Sequence, residues 1–187
     1  MTIVSGLAGM ASIAFVLPGL RQGGAEIVTL RLAAAFSELG HRVAVVSVRS
    51  GMNELPPRES GAIDYVFLEA SHTRLAILPL WRFIRSWRPE IVVSAQPHLS
   101  LLAILVRAAI RPRFKLVVTE HALIGPQIEQ TPNWASKLLP AMIRLLYPLA
   151  DCAVTVSDGI TREIRTLAPR VGCVRRIYNP IFDHSLA

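Results

Sequence analysis

Seven short apolar runs, rich in β-branched residues, alternate with helical patterns along this chain. The runs are predicted as strands and cover residues 12–17, 43–48, 63–68, 91–95, 115–119, 152–156 and 173–177. Strands separated by helices favour a parallel sheet, because a parallel neighbour can be reached only through a long crossover connection. The sequence therefore predicts a single doubly wound, Rossmann-like α/β domain with helices on both faces of the sheet.

The connections between these runs predict helices over residues 24–39, 75–87, 99–110, 135–149 and 158–167. Residues 51–61 and 125–133 collect Pro, Asn and Gly and are predicted to have little regular structure. In doubly wound sheets, ligands bind outside the carboxyl ends of the strands, where the strand order reverses. We expect the order 3-2-1-4-5-6-7, which puts this switch point beside the loop after the first strand.

The chain carries 20 Lys and Arg against 13 Asp and Glu, a net charge of +7. This charge favours an acidic partner, such as a phosphorylated ligand or an anionic membrane surface. Nucleic acid is not expected, because the arginines are scattered and are not interleaved with stacking aromatic residues. Neither a signal peptide nor a membrane span is predicted, because the N-terminal apolar run lacks a basic start and Arg107 interrupts residues 99–110. Cys152 and Cys173 lack metal-ligand spacing and are predicted to be reduced core thiols of a cytosolic protein.

Two adjacent glycines, Gly23 and Gly24, open the first predicted helix shortly after an apolar strand. Backbone N–H groups at a helix start are unpaired and carry the positive end of the helix dipole, and glycine lets an anion approach them. The loop is therefore a candidate phosphate site, although a turn that only connects a strand to a helix has the same pattern. Glu26 falls in the first helical turn, where it would stabilise the helix or bind an acceptor hydroxyl.

Other candidate side chains follow later strands. His121 comes directly after the fifth strand, where its imidazole would bind a sugar hydroxyl or phosphate, exchange a proton, or pack against its own loop. Its neighbour Glu120 should point the other way, as adjacent residues of an extended segment do, and would orient the imidazole or bind an acceptor hydroxyl. His98 begins a helix after the fourth strand, where it faces the ligand edge or has a packing role. Ser157 has the pattern of a helix N-cap, with an anion contact as the alternative.

Five short motifs occur in order along the chain. They are Gly23-Gly24-Ala25-Glu26, Leu39-Gly40-His41-Arg42-Val43, Thr119-Glu120-His121, Val154-Thr155-Val156-Ser157 and Tyr178-Asn179-Pro180-Ile181-Phe182-Asp183. Together they resemble the N-terminal domain of family 4 glycosyltransferases of the GT-B fold. By this resemblance, residues 1–180 form the N-terminal domain and residues 181–187 begin the linker to a C-terminal donor-binding domain.

The resemblance implies transfer of a sugar from a nucleotide-sugar donor to a glycolipid or polysaccharide precursor of the cell envelope, with retention of configuration at the anomeric carbon. Such transfer usually needs no metal or other cofactor. Gly23 and Gly24 would approach the donor phosphates or the acceptor, and His121 would match the histidine that contacts the donor sugar. The family's second domain binds most of the nucleotide. We therefore expect half of an enzyme, which is inactive alone and needs the missing domain in cis or in trans.

Two other readings of the same loops stay open. A dinucleotide-binding domain for NAD(P) would need a different glycine spacing, although Arg49 at the end of the second strand would suit the 2′-phosphate of NADP. A non-catalytic module that binds an anionic lipid or a partner through its arginines is the third reading. The sequence lacks the motifs of metal-held diphosphate chemistry and of serine hydrolysis.

The segment 134–147 has aromatic ends, a Leu, Ile and Met face and two cations. This composition is typical of a helix at a membrane interface as well as of a buried covering helix, and Pro140 predicts a break in it. A cytoplasmic protein is the expectation, and peripheral binding to the inner face of the cell membrane stays open beside a purely structural role of this helix.

Overall fold

A computed structural model describes residues 9–20, 23–49, 63–110, 114–130 and 134–179. The strands in these residues are β1 (Ser12–Leu17), β2 (Arg42–Ser47), β3 (Ile63–Phe67), β4 (Ile91–Ala95), β5 (Lys115–Glu120), β6 (Cys152–Thr155) and β7 (Val174–Arg176). They form one sheet in the order β3-β2-β1-β4-β5-β6-β7, and every neighbouring pair is parallel. The predicted parallel sheet and its strand order are confirmed.

Helices lie between β1 and β2 and in each connection from β3 to β7. They are α1 (Gly24–Glu38), α2 (Ile77–Trp87), α3 (Pro97–Ala108), α4 (Ile124–Gln130), α5 (Trp134–Leu146) and α6 (Asp158–Leu167). Short 3-10 turns precede α2 at Thr73–Ala76 and follow α5 at Tyr147–Leu149. The predicted helices are confirmed, and α4 is an addition to them. The segment 51–61 and the linker 181–187 lie outside the described residues.

The sheet has two cores because alternate residues of a strand point to opposite faces. Ile13, Phe15 and Leu17 of β1 pack in the smaller core, which includes Ala33 of α1. The intervening residues of β1 face the larger core, to which α2, α3, α5 and α6 contribute buried side chains. Helix α1 therefore covers one face of the sheet, and these later helices cover the other.

Helix α4 corrects the prediction that residues 125–133 have little regular structure. Gly125 and Pro126 fall in its first turn, where the missing N–H of proline costs no helical hydrogen bond. The N–H groups of Ile124 and Gly125 donate to the Glu163 carboxylate at 2.8 and 2.9 Å. A side chain from α6 therefore stabilises a helix start that the local sequence does not signal. Residues 131–133 of this prediction lie outside the described residues.

Pro140 does not break α5, which runs through it from Trp134 to Leu146. An internal proline removes one backbone hydrogen bond and crowds the carbonyl four residues before it. The helix packs against α3 and α6, and Ile143 in the turn after the proline is fully buried. Tertiary packing therefore outweighs the local cost of the proline.

The prediction of reduced core thiols is wrong. Cys152 and Cys173 form a disulfide, and both residues are only half-buried. Ala153 and Val174 pair across β6 and β7, so the cysteines that precede them stand side by side. Their separation of 21 residues gives no such signal in the sequence. The cytosolic location that we expected loses the support of free thiols, since disulfides persist mainly in oxidising compartments.

Candidate functional site

The carboxyl ends of the central strands form one edge of the sheet, and backbone hydrogen bonds connect the loops that leave them. The Arg49 N–H donates to the Pro18 carbonyl at 3.2 Å, which joins the loops after β1 and β2. The Gln96 N–H donates to the Thr119 carbonyl at 3.3 Å, which joins the end of β4 to β5. Because the strand order reverses between β1 and β4, the β1 and β4 loops flank the switch point where ligands of such sheets bind.

The opening of α1 holds a carboxylate. Glu26 is almost completely buried, and its Oε1 accepts a hydrogen bond from Gln96 Nε2 at 3.4 Å. Its Oε2 approaches Gly23 so closely that a Cβ on that glycine would overlap it, whereas a Cβ on Gly24 would meet nothing within 4 Å. The carboxylate therefore lies at the positive end of the α1 dipole, and Gly23 is the glycine that this approach requires.

This arrangement predicts different effects for the two glycines. Gly23→Ala should displace the Glu26 carboxylate and lower the free energy of unfolding by up to about 1 kcal/mol, the usual value of such a charge at a helix start. Gly24→Ala should leave the free energy of unfolding unchanged or raise it by up to about 1 kcal/mol, because alanine costs less entropy in a helix. Urea unfolding of both variants checks this prediction, and equal losses would contradict it.

Gln96, at the end of β4, has a strained backbone. Its φ of 81° lies in a region that residues with a side chain rarely adopt. Its carbonyl accepts hydrogen bonds from the Ser100 N–H at 3.0 Å and from the Ser100 hydroxyl at 3.1 Å. Such strain costs about 1–3 kcal/mol and collects at functional sites, where the surrounding structure holds it.

The imidazoles of His98 and His121 both lie at this edge. His98 keeps an exposed surface at the start of α3, yet the protein around its ring and the positive charge of Arg49 lower its pKa. His121 is half-buried directly after β5, and burial lowers its pKa. The buried Nδ1 of His121 has no hydrogen-bond partner among the described residues. Both rings are therefore neutral at neutral pH.

Glu120 points away from the edge into the larger core, as the alternation of an extended strand predicts. Its side chain has no exposed surface, and its Oε1 accepts a hydrogen bond from the buried Tyr147 hydroxyl. Its Oε2 has no partner among the described residues. Burial raises the pKa of Glu120 to about 8, although the Tyr147 hydrogen bond lowers it and Glu163 adds a further increase. In this structure the Glu120 carboxyl does not reach the surface.

Ser157 caps α6, since its hydroxyl accepts a hydrogen bond from the Ile160 N–H at 3.3 Å. The N-cap prediction is confirmed, and an anion contact at this position stays a prediction. Asp158, the first residue of α6, forms a salt bridge with Arg176. His41 lies at the opposite end of the sheet, where its Nδ1 accepts a hydrogen bond from the Ala11 N–H at 3.2 Å.

The structure thus brings some predicted site residues into contact and leaves others on separate strand ends. Glu26 contacts Gly23 and Gln96, whereas His121 and Ser157 follow β5 and β6. Sequence reasoning missed Gln96, whose only signal is its place between a strand and a proline. It also missed Glu163, which fixes the segment after His121 from 38 and 39 residues away along the chain and has no local signal. Among the described residues, no group of three or more His, Cys, Asp or Glu could hold a metal ion.

The structure resembles solved glycosyltransferases. The HepE protein of Anabaena, solved with UDP and glucose, has a TM-score of 0.69 and 16% identity over 94% of this chain and 46% of its own. Sucrose-phosphate synthase of Thermosynechococcus elongatus has a TM-score of 0.69 and 14% identity over 89% of this chain and 47% of its own. The lipopolysaccharide outer core galactosyltransferase WaaB has a TM-score of 0.62 and 16% identity over 90% of this chain and 46% of its own. The chain thus spans slightly less than half of each of these proteins, and identities this low establish the fold alone.

No curated protein sequence matches the chain. None of the helices in the described part of the chain is both long and apolar enough to span a bilayer. The family model of Glycosyltransferase Family 4 matches residues 22–183, which include the glycine pair and all the candidate site residues. The chain belongs to Glycosyltransferase Family 4, as its five motifs indicate.

Proposed function

We propose that this chain is the acceptor-side domain of a retaining glycosyltransferase. In this proposal a sugar passes from a nucleotide-diphosphate sugar to a glycolipid or polysaccharide precursor of the cell envelope, at the cytoplasmic side of the membrane. The observation that carries it is the family match over residues 22–183, with Gly23, Gly24, Glu26, His98 and His121 at one edge of the sheet. The solved HepE structure contains UDP and glucose, and WaaB is a lipopolysaccharide galactosyltransferase, which supports this donor and acceptor class.

The chemistry of the edge suits hydroxyl recognition. A neutral His121 ring binds a sugar hydroxyl without bringing a positive charge to it. Glu26, held by Gln96, accepts a hydrogen bond from an acceptor hydroxyl. The segment after His121 is anchored by Glu163, so the imidazole is positioned before the substrate arrives. No step in this scheme requires a metal.

Titration of the ¹⁵N-labelled chain tests the proposal. Simple glycosides, as acceptor mimics, are expected to shift the amide signals of Gly23, Gly24, His98 and His121. NADPH is the comparison, because Arg49 also lies at this edge. If NADPH shifts these signals and no sugar compound does, the dinucleotide-binding alternative replaces the proposal.

His121 is the residue that we expect to act on the substrate. In the assembled enzyme, His121→Ala should lower kcat at least about tenfold, provided that the imidazole contact strengthens in the transition state. His72→Ala is a suitable control, because His72 is exposed and makes no capping hydrogen bond. Release of the nucleotide product gives the rate for each variant, and an unchanged rate in His121→Ala would leave the imidazole only a packing role.

A further inference from the structure

Helix α5 carries a second apolar stripe besides the one that it buries. Ile143 and the following Tyr147 are fully buried against the larger core. Leu138, Met142 and Leu145, spaced four and three residues apart, lie on another side of α5 and are exposed, Leu145 to 73%. A covering helix needs only its core-facing stripe to be apolar, so packing within this domain does not account for the second one.

The stripe continues across the neighbouring helices. Leu149, just after α5, is exposed and adjoins Ala108 of α3 in a shallow recess. Leu105 of α3 and Leu78 of α2 are exposed on the two sides of an apolar groove of about 250 Å³. Helix α3 packs against both α2 and α5. We define the leucine face by these exposed side chains: Leu78, Leu105, Leu138, Met142, Leu145 and Leu149.

The charges on the helices of the leucine face have one sign. Helices α2, α3 and α5 contain no Asp or Glu. Arg74, Arg82, Lys137 and Arg144 are exposed, and none of them forms a salt bridge within the described part of the chain. Arg107 of α3 differs from these cations, because it forms a salt bridge with Asp151 at 2.8 Å. The unpaired cations therefore lie around exposed leucines with no acid among them.

We propose that the leucine face is a docking surface for an anionic lipid bilayer. Leucines inserted at the boundary between headgroups and acyl chains would lose contact with water, while the surrounding cations would meet the phosphates of anionic lipids. Long Lys and Arg side chains can place their charges at headgroup level while their stems cover apolar surface. The proposal widens the membrane hypothesis for α5 to a surface of three helices, and it does not depend on the sugar-transfer activity.

Co-sedimentation with vesicles tests this surface. Binding is expected to vesicles that contain phosphatidylglycerol and not to pure phosphatidylcholine. It should fall steeply when the ionic strength is raised from about 0.01 M to about 1 M, because the Debye length shortens from about 30 Å to about 3 Å. Equal binding to both vesicle types, or no binding to either at low salt, would overturn the proposal.

Matched variants locate the surface. The double variant Leu138→Ser with Leu145→Ser should weaken vesicle partitioning at least about tenfold, since it removes two inserted side chains. Leu39→Ser is the control, because Leu39 after α1 is also 73% exposed but lies outside the leucine face. Arg82→Glu with Arg144→Glu should abolish the preference for anionic vesicles, whereas Arg31→Glu on α1 should not.

Circular dichroism verifies that the variants are folded, which is expected because every substituted side chain is exposed. Equal loss of binding in the Leu39 control would overturn the assignment of the leucine face. So would self-association in solution that depends on Leu145 and occurs without vesicle binding, because the face would then dock a second copy of the chain.

Discussion

Glu120→Gln is expected to remove a fall in stability that we predict for the native chain between about pH 5 and about pH 8. The folded state raises the pKa of this buried carboxyl from its usual value of 4.5 to about 8. In this interval the folded chain holds a proton that the unfolded chain releases. The free energy of unfolding therefore falls as the pH rises, by up to about 1.4 kcal/mol per unit.

The glutamine variant isolates this effect because it is uncharged and nearly isosteric. Its amide oxygen can still accept the Tyr147 hydroxyl, so the two proteins should have similar stability near pH 5. At about pH 8 the variant should be more stable by several kcal/mol, since it has no carboxylate to bury. Urea unfolding at several pH values measures both proteins, and the histidine contributions cancel in the difference.

Glu129→Gln is the matched control, because Glu129 is exposed on the neighbouring helix α4. We expect its unfolding free energy to follow that of the native chain across the whole pH range. A Glu120→Gln profile that declines as steeply as the native one would show that Glu120 does not bind the extra proton.

Residues 1–187 alone are expected to transfer no sugar above the uncatalysed rate. The solved transferases that the chain resembles are about twice as long, and our proposal gives the donor nucleotide to a second domain. Without that domain the donor and the acceptor are not held together. The chain then loses the large part of the rate enhancement that comes from orienting the two substrates. We expect a loss of at least about 10³-fold relative to the assembled enzyme.

Transfer of a labelled sugar, followed with and without a donor-binding domain in cis or in trans, measures this loss. The His121→Ala chain, assembled in the same way, separates a poor assembly from a missing catalytic contact. Rapid transfer by the isolated chain would contradict the proposal that a second domain binds the donor. The assignment of the chain to its family would not change.

Much of the fold can be predicted from the sequence, because the strands of a parallel sheet are buried on both faces and read as short continuous apolar runs. Val43 to Val46 of β2 and Phe15 to Leu17 of β1 are such runs, with every residue buried. The position of the switch point follows from the glycine loop after β1. The places of His98 and His121 follow in turn, since each comes directly after a strand.

Contacts between residues that are distant along the chain could not be predicted. Glu163 stabilises the start of α4, where Gly125 and Pro126 suggest a loop when they are considered alone. The disulfide depends on the register of β6 against β7, which two cysteines 21 residues apart do not reveal. The inward direction of Glu120 was predictable, whereas its partner Tyr147 was not, because it comes from a different element.

The Glu26 carboxylate in the first turn of α1 affects which ligands can bind at this edge of the sheet. Glu26 already supplies a negative charge at the place where a helix of this kind attracts a phosphate. An anion that binds here would be repelled by the Glu26 carboxylate unless it displaced that side chain. An uncharged hydroxyl could instead donate a hydrogen bond to the carboxylate. In the proposed function, we therefore expect the strand-to-helix loop to favour an uncharged hydroxyl over an anion. Glu26→Gln would weaken that selection and let the loop take the phosphate that its glycines alone suggest.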